Sequence, residues 1–292
     1  MSRAEKWFVE FINKNMLYIS CAAVILFMLW ARFAGRNYVP ADCPMMLYDI
    51  PANCNSFFYR VLTAWIVENV ESIVFAVRLL GYAGDLGILL FSIVLVGKEW
   101  VLQKDYRFFL MLTAIMMSPV LMANSVGGMR IDSLCICFVL LSHILRKRSN
   151  LVASTFMVLA AAIIYPAYWL FVLIHCASLA KECLGDSSKK KVKNVCCLIM
   201  CAVAVLSAFL EPAYGEAGYF LGKFLVVDFR TGEYFKNVWA WITAMFRLYA
   251  PAASTLLLIA SFERSEFRIP ALFLQVAAVM YLGWSYTCVT AL

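Results

Sequence analysis

The sequence predicts an all-α fold: a polytopic transmembrane helical bundle, one integral membrane domain over residues 1–292. Three observations carry this expectation. Of 292 residues, 64% are hydrophobic and only 15% charged, well beyond the roughly 45–50% apolar usage of soluble domains, and the mean hydropathy is +0.82. Apolar runs of about 15 to 25 residues recur along the chain, the length at which a helix crosses a hydrocarbon core of about 30 Å. The net charge of +7 is divided into short basic clusters between those runs. That is the pattern of topology signals beside anionic lipid, and it argues against a nucleic-acid surface.

The first apolar run, MLYISCAAVILFMLWARFA at 16–34, has no convincing small-residue cleavage site, so it is expected as a retained span. Arg3, Lys6 and Lys14 precede it and set a cytosolic N-terminus. The loop 35–56 is rich in proline (Pro40, Pro44, Pro51) and falls on the lumenal side. The stretch SFFYRVLTAWIVENVES at 56–72 mixes Arg60, Glu68 and Glu71 with aromatic and aliphatic residues, which suits an interfacial helix along the lumenal surface. Spans at 73–97, 107–122 and 131–145 follow. Lys98, Lys104 and Arg107 after the second span, and Arg146, Lys147 and Arg148 after the fourth, belong in the cytosol.

Basic clusters flank 151–180 on both sides, so LVASTFMVLAAAIIYPAYWLFVLIHCASLA must enter and return within about 30 residues, too few for two full spans. Pro166 breaks the helix near the midpoint. Two short helices meeting at Tyr165 and Pro166 are predicted, with neighbours satisfying the freed backbone groups. A cytosolic basic loop at 181–194 holds the densest lysine run. Spans at 195–212, 238–261 and 269–288 complete about eight or nine membrane helices, and 213–237 is the second long lumenal loop.

That loop leads into FRTGEYFKNVWAWITAMFRLY at 229–249, where Arg230, Glu233, Lys236 and Arg247 lie among aromatic residues. Tryptophan and tyrosine sit readily at the headgroup boundary, with apolar bodies and wet tips, so these charges need not enter hydrocarbon. Charges within predicted spans are costly and become functional candidates: Arg78 and Asp85 in the second span, and Asp132 at the start of the fourth, where helix capping or the helix dipole equally accounts for an acid.

Other chemistry is sparse. His175 directly precedes Cys176, but helix neighbours point about 100° apart and nothing supplies the orienting group a Cys-His pair requires. Cys197 and Cys201 share a helical face without further ligands at metal-site spacing. No dinucleotide, P-loop or zinc-hydrolase pattern occurs, so neither a metal nor a cofactor is expected. Of 11 cysteines, Cys43 and Cys54 share the first lumenal loop and are candidates for a disulfide if that loop faces an oxidising lumen. Sugar transfer from a lipid carrier would need a lumenal carboxylate as general base. Asp42 and Asp49 are available in the first lumenal loop, and Glu216, Asp228 and Glu233 in the second.

Several segments together resemble the GT-C superfamily of multispanning lumenal glycosyltransferases, and more closely the non-catalytic U-subunit (PIG-U) family of GPI transamidase, which shares that fold. They are AVRLLGYAGDLGILL (76–90), SPVLMANSVGGMRIDSLCICFVLL (118–141), IIYPAYWLF (163–171), EYFKNVWAWITAMFRLY (233–249) and FRIPALFLQVAAVMYLGWSY (267–286). The resemblance implies a GT-C-like bundle in the endoplasmic reticulum membrane. Its role would be that of a non-catalytic subunit that binds and presents the GPI glycolipid, or the hydrophobic C-terminal signal, to a Cys-His protease-like catalytic subunit. The implied partners are other transamidase subunits and membrane lipids. On this reading Arg230, Lys236 and Arg247 would complement lipid phosphates, Trp239, Trp241 and Phe246 would pack on acyl chains or partner helices, and Asn237, Tyr165 and Pro166 join them as lipid-binding candidates. The sequence is shorter than that family and is expected to end after the span led by Pro270. The alternative is a GT-C glycosyltransferase, mannosyltransferase-like, using a polyprenyl-phosphate sugar, with Asp42 or Asp49 as its base.

Overall fold

A computed structural model describes residues 3–34, 73–122, 132–164, 168–185, 188–210 and 238–289. Among these residues the architecture is entirely helical. The helices are α1 (Arg3–Ala34), α2 (Ile73–Ser92), α3 (Tyr106–Met116), α4 (Asp132–Lys147), α5 (Leu151–Ile164), α6 (Trp169–Gly185), α7 (Ser188–Leu210), α8 (Val238–Glu263) and α9 (Arg268–Val289). Beyond Ser92, α2 continues through one π-helical stretch, Ile93–Gly97, and a short α-helical piece, Lys98–Gln103.

Local chemistry sets the breaks. Lys104 ends the α2 continuation in a left-handed conformation (φ 54°), and its N–H bonds back to the carbonyls of Trp100 and Val101. Asp105 then caps α3, accepting from the Arg107 N–H at 2.9 Å, so one orphan amide of the new helix is satisfied. After Met116 the chain pauses at Met117 and Ser118, then resumes as Pro119–Met122, where proline suits a first helical position because it has no N–H to lose. Between α4 and α5, Ser149 turns with φ 61° and Asn150 accepts from the Ala153 N–H at 3.3 Å.

Contacts between helices fix their directions. Tyr18 meets Val101, and Arg32 meets Asp85, so α1 runs antiparallel to α2. Gly97 abuts Phe108 and Met111, while Arg32 reaches the Met116 carbonyl, so α3 is antiparallel to α2 as well. Gly84 packs on Ser133 and Leu134, and Gly87 on Cys137, which makes α4 parallel to α2. Ser142 bonds Ser154, and Thr155 bonds His175; α5 therefore runs back along α4, and α6 returns beside it.

One end of the bundle consequently gathers Lys104, Arg107, Arg146, Lys147, Glu182 and Glu263. Arg146 pairs with Glu182 and also bonds Ser178 at 2.6 Å, Lys147 pairs with Glu263 at 3.4 Å, and Arg107 stacks 5.4 Å from the Trp100 ring. The opposite end holds the close of α1 and α3 and the starts of α4 and α6. Between them a core of Ile88, Met111, Ile115, Ile136, Ala161 and Val172 excludes solvent completely. The outward faces are apolar too: Leu26, Leu90, Leu206, Leu272 and Phe273 are each 60–73% exposed.

Among the described residues, two stretches are by length and composition long and apolar enough to cross a membrane, Glu5–Ala34 and Leu79–Gln103; Tyr106–Met122 and Leu151–Ile164 are shorter apolar helices. The predicted pair is present as α5, 14 residues, and α6, 17 residues, on either side of 165–167. Some expectations need correction. Helix α1 begins at Arg3, upstream of the apolar run expected as the first span, because the charged segment before that run is itself a good helix former. The third predicted span is interrupted at Met117 and Ser118 before Pro119. Much of the basic loop expected at 181–194 is helix, since α6 carries Lys181 and α7 already contains Lys189, Lys190, Lys191 and Lys193; lysine has favourable helix propensity, and the sequence reading took charge for loop. The expected loops 35–56 and 213–237 and the interfacial helix 56–72 lie outside the described residues.

Candidate functional site

The end opposite the basic cluster holds three buried ionisable groups, Arg32, Asp85 and Asp132. Arg32, on the last turn of α1, and Asp85, midway along α2, are each only 2% exposed and form an ion pair: Arg32 Nε donates to Asp85 Oδ2 at 2.9 Å, and Nη2 stands 2.9 Å from the same oxygen. Arg32 Nη1 also donates to the Met28 carbonyl at 3.4 Å and Nη2 to the Met116 carbonyl at 3.5 Å. Tyr82 donates its hydroxyl to the Arg32 carbonyl at 2.8 Å. A buried guanidinium thus ties α1, α2 and α3 together, with Tyr82 satisfying a carbonyl near the C-terminus of α1, where α1 lacks internal donors.

The second buried acid, Asp132, opens α4 and is fully enclosed. Tyr168, at the start of the returning helix, donates to its carbonyl at 3.2 Å and lies 3.4 Å from Oδ1. The Tyr168 ring stacks on Phe171 at 5.3 Å. Asp132 stands in the first turn of α4, where a negative charge favours the helix dipole; the structure adds Tyr168 as its partner. Asp85 and Asp132 sit near one another in the fold because Gly84 lets α2 approach the α4 backbone: a Cβ there would stand 2.4 Å from the Leu134 nitrogen.

A third polar link crosses from the break at Ser118 to the last helices. Ser118 Oγ donates to Gln275 Oε1 at 3.2 Å, and Gln275 Nε2 donates to the Ser254 carbonyl at 3.2 Å. Gln275 on α9 therefore bridges α8 and the break after α3. Chemically, the arrangement is a set of interhelical ties. Both buried carboxylates are engaged, one by a guanidinium and one by a phenol. Among the described residues, no group of three or more His, Cys, Asp and Glu side chains is arranged to hold a metal ion.

Of the acids flagged from sequence, Asp85 pairs with Arg32; the side chain of Arg78 lies outside the described residues. Arg32 itself was missed: it closes an apolar run and reads as a flanking charge, although a buried Asp85 requires a cation somewhere. His175 bonds Thr155 Oγ1 at 3.0 Å, a packing role on the hairpin. Cys197 and Cys201 are buried. Asp42, Asp49, Cys43, Cys54, Tyr165, Pro166, Arg230, Lys236 and Asn237 lie outside the described residues. Trp239, Trp241, Phe246 and Arg247 belong to α8, which begins at Val238, and their side chains likewise lie outside the described set.

Arg107 donates to Asp105 Oδ2 from its side chain at 2.7 Å and to Oδ1 from its backbone N–H at 2.9 Å. These bonds, the side-chain one first, hold the Asp105 carboxyl below its ordinary range. No family model, no curated protein and no solved structure matches this chain.

Proposed function

We propose that this chain is a multi-pass protein of the endoplasmic reticulum membrane with a GT-C-like fold, acting as a non-catalytic subunit of GPI transamidase that binds and presents the GPI glycolipid or the C-terminal signal. The observation that carries the reading is sidedness. The helix ends bearing Lys104, Arg107, Arg146 and Lys147 gather at one end, while the helix ends flanking 35–72, 123–131, 165–167 and 211–237 belong to the other. Such a division supports a bundle with a cytosolic basic face and its long connections, including the candidate lipid-binding segment, on the lumenal face. The apolar exterior over a core containing Arg32, Asp85 and Asp132 is the polarity expected of helices in lipid, where ionisable groups turn inward and pair.

The hairpin of α5 and α6 further supports the family resemblance, since α5 leaves the basic end and α6 returns to it on either side of the segment containing Tyr165 and Pro166. In this role Arg230, Lys236 and Arg247 meet phosphate groups, and Trp239, Trp241 and Phe246 meet acyl chains. Affinity purification from mild detergent tests the proposal: several membrane proteins, including a Cys-His transamidase, should accompany the chain, and depletion should block GPI attachment to a reporter. Recovery as a solitary protein would overturn it. Loss of polyprenyl-linked sugar transfer on Asp42→Asn or Asp49→Asn, with folding intact, would favour the glycosyltransferase reading instead.

A further inference from the structure

The close of α6 and the start of α7 lie together at the basic end of the bundle. Helix α6 returns to that end, where Glu182 pairs with Arg146, and α7 leaves it from Ser188. Between the two helices the thiols of Cys176 and Cys201 are hydrogen-bonded, which fixes their register. Toward the basic end, Cys183 lies seven residues past Cys176, and Cys196 lies five residues before Cys201. At about 1.5 Å per residue these steps are roughly 10 Å and 7.5 Å, so the two thiols stand at one level, within about 3 Å along the helix axes. Cys183 directly follows Glu182, whose ion pair marks the boundary.

The other described cysteines are occupied by packing. Cys21, Cys135, Cys197 and Cys201 are buried, Cys176 is bonded to Cys201, and Cys137 lies against Gly87. Cys196 by contrast is exposed and Cys183 partly so, with Lys181, Lys191 and Lys193 exposed beside them. From Cys196 an uncovered apolar line runs along α7 away from the basic end, through Ile199, Val203 and Leu206, each 56–62% exposed. These residues stand three, seven and ten positions on, the spacing of one helix face. Ten residues span roughly 15 Å, half of a hydrocarbon core of about 30 Å and thus the depth of one leaflet.

On the membrane reading proposed above, on which this inference rests, both thiols sit at the cytosolic headgroup boundary. Juxtamembrane cysteines there are the substrates of reversible acyl transfer. The chemistry balances without an oxidant. A cysteine thiolate, the nucleophilic form, attacks the carbonyl carbon of a long-chain acyl thioester carried on an anionic, phosphate-bearing thiol. A new C–S bond forms, the donor's C–S bond breaks, and the departing thiolate takes up the proton that the cysteine released. One thioester replaces another, so the exchange is near balance and reversible. Lys191 and Lys193 attract the anionic donor to this surface, and the line below Cys196 gives the attached chain an apolar track into the leaflet.

We propose that Cys183 and Cys196 are a paired S-acylation site for long-chain fatty acyl groups, the chain on Cys196 lying along Ile199, Val203 and Leu206. The test is acyl exchange on the full chain in native membranes: free thiols are blocked with N-ethylmaleimide, thioesters are cleaved with neutral hydroxylamine, and the released thiols are tagged with a maleimide polymer that adds a fixed mass per site. The expected result is two hydroxylamine-dependent tags on the unmodified chain, one on Cys183→Ser or Cys196→Ser, and none on the double replacement. Cys197→Ala should keep both tags, because the Cys197 side chain is buried. No tag, a single tag on the unmodified chain, or tags that persist in the double replacement would each overturn the assignment. Labelling of Lys147→Cys with an impermeant maleimide on the same membranes reports separately on sidedness. Missing tags with cytosolic labelling would overturn acylation alone; missing tags with lumenal labelling would overturn the proposed topology as well.

Discussion

Arg32 and Asp85, 53 positions apart in sequence, meet with the guanidinium Nε and Nη2 each 2.9 Å from one carboxylate oxygen, both side chains only 2% exposed. The pair closes α1 onto α2 in a setting where either charge alone would be unsupported. Removing one partner from a buried pair typically costs about 3–5 kcal/mol, whereas replacing both with apolar side chains of similar size is often neutral.

Arg32→Met or Asp85→Leu alone should therefore lower stability by about 3–5 kcal/mol, and the double replacement should recover most of the loss. Reversible denaturation in detergent for the four forms gives the coupling directly. Additive losses would mean that the two charges act independently.

Gly84→Ala should be destabilising by about 1–3 kcal/mol, as overpacking in a tight contact usually is, because the added methyl meets the backbone nitrogen of Leu134 at 2.4 Å. Trimming the Leu134 side chain should not rescue it. Gly87→Ala meets the Cys137 sulfur at 2.3 Å instead, so Cys137→Ala should restore the loss. Thermal unfolding of the two pairs of variants separates these outcomes.

The Asp105 carboxyl is held below its ordinary value of about 3.8 by Arg107. A depressed folded-state value means that its contribution is fully present above the unfolded value and is lost as pH falls through the folded one. Protection of the first-turn amides of α3 against hydrogen exchange, taken relative to the intrinsic rate at each pH, should fall below about pH 3.8, and Asp105→Ala should show low protection at every pH. A pH-independent protection in the unmodified chain would contradict the capping role.

Sidedness is open to labelling. With an impermeant maleimide, Glu263→Cys and Lys147→Cys should react from the cytosolic face and Glu233→Cys from the lumenal face. Cytosolic reaction at Glu233→Cys would reverse the proposed arrangement.

Hydropathy located most helices, because apolar runs and basic clusters are written locally. The break before Pro119 and the helical start of α7 were missed, because the reading ranked apolarity above propensity: Lys189, Lys190 and Lys191 are compatible with helix wherever water bathes them. The polar end was half legible. Asp85 stands out inside an apolar run, but its partner Arg32 lies at the edge of another, and only the antiparallel packing of α1 on α2 brings them together. Tyr168 was invisible as a partner of Asp132, since their bond depends on how the hairpin returns. Of the lipid-binding candidates at 229–249, Trp239, Trp241, Phe246 and Arg247 belong to α8, while Arg230, Lys236 and Asn237 lie outside the described residues.

The π-helical stretch Ile93–Gly97 inserts an extra residue into one turn of α2, and a single residue turns a helix by about 100°. The stretch therefore lets one strut serve two neighbours, presenting Gly84 and Gly87 to α4 before the insertion and Gly97, at its end, to Phe108 and Met111 of α3. Deleting one residue between Ser92 and Gly97 would restore regular winding and swivel the halves out of phase. The chain would then have to choose which neighbour to keep.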